Sequence, residues 1–396
     1  MKSGAVRAAV AALFIFHTAI RAAGPFEVLI PGELSKVVDT NNAVLVTNAT
    51  VNNWLEGPVW VPANGGYLVF SAMDTANRLK KLVPPNTVTD FLVPAANTLY
   101  NGNTLDAQER LIACQAGTAG LRVVMITNSV VTPLVSTCNG LNFYSPNDVV
   151  VKSDGTVWFT DPGYNGNTAT PPQPGYQGGY YVYRFDPANG NATCTPVSTN
   201  LLIRPNGLCF SPDESLLYIA DSDTARHHIR LFSVSPSNTL TGGSVFVTIS
   251  NGVPDGIRCD VDGRVYSSSA DGVRIYLPDG RLIGRIMIPN TVANLCFGGA
   301  DWKTLYITAQ PRVYSIPLKV AGTPSMKKLQ VSRDGAQLRI SWPAPATGFQ
   351  LETRPAANAG AWMPVPDQPS ITNGLCQYVL TPTNKSAMYR LRKPAP

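Results

Sequence analysis

Histidine is scarce in this sequence, with three residues in 396, and two of the three form the adjacent pair His227-His228 in "TARHHIRLF". Adjacent residues on a strand point to opposite faces, and both are expected among sheet-surface residues. A Ser-His-Asp site or a His-rich zinc site is then poorly supported. Cysteine does not fill the gap: Cys114, Cys138, Cys194, Cys209, Cys259, Cys296 and Cys376 never fall at Cys-x-x-Cys spacing. No Walker or dinucleotide-binding glycine pattern stands between a strand and a helix. Charge is low as well, 14% of residues. Without Lys2, Arg7 and Arg21, 28 of the 31 basic residues remain against 25 acidic ones, a near balance that argues against a nucleic-acid partner. Beyond the N-terminus no apolar run approaches the ~20 residues of a membrane span.

The N-terminus itself, "MKSGAVRAAVAALFIFHTAIRAAG", sets Lys2 and Arg7 ahead of a short apolar run and then small residues near Ala22 and Ala23. This is the pattern of a secretory signal peptide, so residues 1–23 are expected to be removed and the protein exported, periplasmic or extracellular. Such a compartment permits disulfides, although an odd cysteine count leaves at least one thiol unpaired. Cys209, Cys259 and Cys296 recur in "GLCF", "IRCD" and "NLCF" and are expected as small buried strand residues. With 44% hydrophobic residues, 33 glycines and 33 prolines, the chain has the makings of a folded core crossed by many turns.

A phrase repeats through this core: a small or apolar residue, a polar residue, often Gly, then strand, turn, strand. Its six copies begin "EGPVWVPANGGYLVFSA", "NGNTLDAQERLIACQ", "PNDVVVKSDGTVWFTD", "PNGLCFSPDESLLYIAD", "PDGIRCDVDGRVYSSS" and "ANLCFGGADWKTLYITA". Recurrence every ~40–60 residues, with Asp-Gly turns between short strand-like runs, is the signature of β-propeller blades. The fold expected over residues 24–320 is therefore all-β, a six-bladed propeller whose innermost strands surround a channel. The polar position of the six copies is Glu56, Asn101, Asn147, Asn206, Asp255 and Asn294, every one an oxygen donor. Six such side chains facing one axis need something among them. A hard cation answers, calcium first because it takes six to eight oxygens in flexible geometry, with zinc, manganese and magnesium as alternatives. Asparagine and aspartate before glycine also suit ordinary turns; the common phase of six copies is what points to a ring.

Catalysis on such a ring would rest on the cation and carboxylates, which makes hydrolysis the natural class. Asp255 is the candidate general base, able to hold a cation with one oxygen and a water with the other. A purely structural ligand is its alternative role.

The motifs "LEGPVW", "SPNDVVVKSDGTVWFTDPGY", "RPNGLCFSPDESLLYIADS" and "VPDGIRCDVDGRVY", taken in order, resemble the senescence-marker-protein/gluconolactonase/regucalcin-like family over roughly residues 45–318. The resemblance implies a six-bladed propeller with one divalent cation, hydrolysing sugar or other lactones. It implies Glu56, Asn147, Asn206 and Asp255 as metal ligands, with Asp255 also as general base. Two departures concern the substrate wall. Animal members carry an Arg where this chain has Ser145, and bacterial members often read "CEHG" where it reads "CQAG", placing Gln115 and Ala116 there. Asn101, Gln115, Asp148 and Asp161 are expected at the mouth or behind it, with turn or strand-end roles as the alternative. An organophosphate or other ester hydrolase, and a non-catalytic calcium-stabilised binding propeller, remain open readings.

After Leu318, "KVAGTPSMKK" reads as a linker, and alternation with an Asp-Gly turn over residues 325–396 suggests a small β-sandwich-like domain. Trp342 and Trp362 are expected in its core. Its partner is not specified by the sequence.

Overall fold

A computed structural model describes residues 20–21, 24–51, 54–73, 77–164, 168–198, 200–323, 329–343, 350–355, 361–366, 368–372, 375–381 and 387–392. Most of the leader lies outside these residues. Six antiparallel sheets follow one another along the chain, each a simple meander. The first runs Trp54–Val61, Tyr67–Met73, Arg78–Val83 and Thr87–Leu92. The innermost strands of the next five are Leu99–Leu105, Val149–Val151, Pro205–Phe210, Ile257–Cys259 and Val292–Gly298.

Two of these sheets borrow from the N-terminus. Val46–Thr50 pairs with Arg312–Pro317 and becomes the outer strand of the sixth sheet. Phe26–Val28 extends the fifth sheet beside Leu282–Met287, and Ile20–Arg21 lie at its edge.

An apolar cluster fills every gap between neighbouring sheets. Val59 and Val69 of the first meet Leu105 and Ala113 of the second, and Ile112 and Val123 of the second meet Val149 and Phe159 of the third. Trp158 packs with Leu208 and Ile219, Tyr218 with Ile257 and Val265, and Tyr266 with Leu295 and Phe297. The last gap joins the sixth sheet to the first, with Trp60 stacked on Tyr306 at 5.3 Å between ring centroids. Each sheet is thus covered on both faces, which is why second strands such as Tyr67–Met73, Leu216–Asp221 and Thr304–Ala309 are buried at nearly every position instead of alternating. The sheets form a closed ring. The expected burial of Cys209, Cys259 and Cys296 is met, and all seven cysteines are buried free thiols; the Cys209 and Cys259 sulfurs stand 3.6 Å apart.

The expected linker is only partly one. Lys319 N donates to Val37 O at 2.7 Å, Val261 N to Ala321 O at 3.0 Å and Thr323 N to Cys259 O at 3.2 Å, so residues 319–323 are tied down on the ring. Beyond them, a four-stranded and a three-stranded sheet share a core of Ile340, Trp342, Leu351, Val365, Cys376 and Tyr378. Trp342 is core as expected, whereas Trp362 is half-buried between the guanidinium groups of Arg354 and Arg390. No helix among the described residues is long and apolar enough to cross a membrane.

Candidate metal centre

The ring residues are delivered by a repeated backbone device. The pairing of first and second strands slips at Glu56/Val59, Tyr100/Asn103, Pro205/Leu208 and Val292/Asn294, so Glu56, Asn101, Asn206 and Asn294 sit at bulges that re-aim a side chain. Asn147 and Asp255 come from the loops just ahead of their strands. The glycine that follows so many of these residues has a packing cause. A Cβ at Gly57 would strike the carbonyl of Asn101, and one at Gly256 the amide of Asn294. Each glycine lets one ring residue abut the next.

Aspartates at the ends of second strands hold the delivery loops. Asp221 accepts the backbone N–H groups of Ile203 (3.1 Å) and Arg204 (2.8 Å), just ahead of Asn206. Asp161 does the same for Tyr144 (2.8 Å) and Ser145, just ahead of Asn147. Asp161 is therefore a fully buried strand-end residue, the alternative role foreseen for it, and it supports the mouth from behind. Burial raises its carboxyl to about 7 against the pull of those two N–H donors.

Electrostatics brings Glu56, Asp255 and Asp148 together. Burial first, then Asp148, raises Glu56 to about 7, while hydrogen bonds from Trp54 Nε1 (2.9 Å), Gly57 N and Asn294 Nδ2 (3.4 Å) oppose the shift. Asp255, half-buried, is raised well above the carboxylate range by desolvation and then by Glu56 and Asp148, with a hydrogen bond from Asn206 opposing. Asp148 is held by Arg258, whose Nη1 lies 3.3 Å from its Oδ2. Gln115 is buried and accepts from Arg122 Nε at 3.1 Å. Asn147 is buried, its own N–H donating to Thr160 O and its carbonyl accepting from Gly102 N.

The donor set fits a hard cation. Asn101 Oδ1 and Asn206 Oδ1 are buried oxygens with no hydrogen-bond partner, each a cost of about 1–3 kcal/mol that a coordinated cation would offset. Two carboxylates, Glu56 and Asp255, whose pKa values are raised by burial and by neighbouring acids have the same remedy. Among the described residues no cluster of three or more His, Cys, Asp or Glu side chains is placed to hold a metal; the ring relies on amide oxygens beside two acids.

A family model described as SMP-30/Gluconolactonase/LRE-like region matches residues 54–310. The chain belongs to this family. A gluconolactonase of Zymomonas mobilis is 29% identical to it over 313 residues, 73% of this chain and 85% of that protein. The structure of a gluconolactonase from Xanthomonas campestris is 31% identical with a TM-score of 0.66, covering 76% of this chain and 97% of its own. A calcium-binding regucalcin from Agrobacterium tumefaciens shares the fold at 19% identity and a TM-score of 0.55, covering 69% and 93%. Within the family's propeller, the ring end of the channel carries the acids. The opposite end widens into a cavity of about 670 Å³ lined by Trp60, Phe210, Phe297 and Arg258 together with Tyr389 and Arg390 of the C-terminal unit.

The histidine pair departs from expectation. His228 is only 7% exposed and its Nε2 lies 3.6 Å from Asp221 Oδ2, so it faces inward. Burial and then Arg230 lower its pKa, keeping it neutral. Sequence reasoning also missed Tyr164, Tyr180, Arg204 and Arg258; only Tyr164 carried a local signal, as the last residue of the "DPGY" turn.

Proposed function

We propose that this member of the family is an exported, calcium-dependent lactone hydrolase on a six-bladed propeller, opening a sugar lactone or related lactone to its hydroxy acid. The observation that carries the reading is the mutual placement of Glu56, Asn206 and Asp255, with partnerless amide oxygens around them. The Zymomonas and Xanthomonas gluconolactonases support the reaction class. Export rests on the basic, apolar and small-residue leader of residues 1–23.

Glu56, Asn147, Asn206 and Asp255 would hold the cation, which supplies Lewis-acid polarisation of the lactone carbonyl. The chain's own work is proton transfer and positioning. Asp255 takes a proton from the attacking water as its oxygen bonds to the carbonyl carbon. When the ring C–O bond breaks, the same carboxyl returns a proton to the departing alkoxide. Asn206 keeps Asp255 in place by a direct hydrogen bond. Asn101 and Gln115 are the proposed substrate contacts, with Asp148 and Asp161 supporting them.

The test is a pH-stat screen of lactones, with phosphotriesters and aryl esters alongside, on protein of defined metal content. Calcium-dependent acid release from a lactone is the expected result. Phosphotriester turnover without lactone turnover would move the protein to the ester-hydrolase class. Calcium-dependent thermal stability with no turnover at all would make it a binding propeller.

A further inference from the structure

The turn Asp161-Pro162-Gly163-Tyr164 spends every residue on one neighbourhood. Asp161 caps the loop that delivers Asn147. Pro162 O accepts from Arg204 Nη1 at 2.6 Å. Gly163 sits at φ +77, where any Cβ would run into the ring of Tyr180. Tyr164 then meets Arg204, whose guanidinium carbon lies 5.4 Å from its ring centroid and 4.4 Å from that of Tyr180.

This arginine belongs to the mouth of the ring. It stands two residues before Asn206 in a loop capped by Asp221, as Ser145 stands two residues before Asn147 in a loop capped by Asp161. Tyr164 connects it to the chemistry: the phenol shares a hydrogen bond with Ser222 and feels the Asp255 carboxylate, while Ser222 Oγ donates to Pro254 O beside Asp255. The wall leading away from Asp255 is thus Ser222, Tyr164 and Arg204. Among the described residues no carboxylate lies within ion-pair distance of Arg204; a carbonyl and two π faces hold it, and neither cancels a full charge. By contrast Arg258 is committed to Asp148, and Arg226 lies 3.8 Å from Asp221.

We propose that Arg204, clamped between Tyr164 and Tyr180, is the specificity determinant of this mouth and recognises a carboxylate on the far end of the lactone, so that the preferred substrate is the monolactone of a dicarboxylic sugar acid. A guanidinium pre-oriented by stacking pairs bidentately with a carboxylate, and partial burial by the two rings strengthens that pairing. The guanidinium also gives an anionic substrate a foothold beside an otherwise acidic ring. The inference rests on the lactonase reading above, and its test separates the two.

Steady-state kinetics at saturating calcium would compare a neutral aldonolactone with an aldaric monolactone in the wild type, Arg204→Gln, Arg204→Lys and Tyr164→Phe. The wild type is expected to favour the carboxylate-bearing lactone by at least tenfold in kcat/KM. In Arg204→Gln that preference should fall roughly 10–100-fold, through KM, with Arg204→Lys intermediate and the preference weakening as salt rises. Equal loss on both lactones in Arg204→Gln would make the residue a mere clamp of the turn and overturn the proposal, as would a wild-type preference for the neutral lactone. Should neither lactone turn over, the lactonase reading fails while calorimetric binding of the same two lactones still decides Arg204. Binding of the charged one that disappears in Arg204→Gln upholds the inference, and binding indifferent to the substitution or absent from the wild type ends it.

Discussion

Burial and neighbouring acids make Glu56 and Asp255 hard to ionise, Asp148 acting on the first and Glu56 with Asp148 on the second, and a cation would change the sign of that relation. Burial, with Asp148 nearby, lifts Glu56 to about 7 from an ordinary 4.5. A group whose folded pKa exceeds its unfolded one contributes stability below the unfolded value and loses it as pH rises through the folded value. The metal-free ring is accordingly most comfortable in acid and strained above neutrality, where calcium has most to offer. Melting curves with chelator and with calcium, at pH 5.5 and pH 8, should show the larger calcium-induced rise at pH 8. Calorimetry near pH 7 in buffers of different ionisation enthalpy should show net proton release on calcium binding. Equal rises and no proton release would remove these two acids from the cation site. A pair of substitutions then separates holding from catalysis. Asp255→Asn should lower calcium affinity modestly and lactone turnover by roughly 10²–10⁴-fold at saturating calcium, the usual contribution of a general base. Asn206→Ala should chiefly weaken calcium binding and recover with excess metal. Full recovery of Asp255→Asn would assign that residue a structural role.

The elements explain why the ring was legible and its surroundings were not. Repetition at fixed phase exposed Glu56, Asn101, Asn147, Asn206, Asp255 and Asn294, because each copy places the same residue type where its inner strand begins. The same copies end in "FTD" and "IAD", so the capping role of Asp161 and Asp221 was also within reach, though a strand-end aspartate looks the same from sequence whether it faces substrate or backbone N–H groups. Arg204 reaches Pro162 across 42 positions and Arg258 reaches Asp148 across 110. No periodicity carries such pairings. His228 shows the limit of alternation, which sends one of two adjacent histidines inward without saying which. At the N-terminus, the fifth sheet already has its four strands, and Phe26, with no exposed surface, anchors the added strand Phe26–Val28. Cleavage near Ala23 would remove only the edge pair Ile20–Arg21. N-terminal sequencing of exported protein should therefore begin near Ala23, and a cytoplasmic protein starting at Met1 would overturn this.

For the whole molecule the question is what the C-terminal unit does for the ring. All six ring residues precede the tied-down stretch 319–323, and the unit meets the channel at the end away from the acids. A chain ending at Thr323 keeps those ties and should remain folded and bind calcium with wild-type affinity, read by calorimetry and thermal melting. A soluble truncation that has lost calcium binding would show that the unit supports the ring from below.

Val46–Thr50 completes the sheet whose other strands lie between residues 292 and 317, which gives the ring a history as well as a shape. During synthesis that strand waits while about 260 residues emerge before its partner Arg312–Pro317 exists. Glu56, from the first sheet, and Asn294, from the last, are neighbours only after this clasp shuts. The cation site is therefore complete only when the first and last sheets meet, and a chain cut inside the sixth sheet is expected to lose calcium binding together with ring closure.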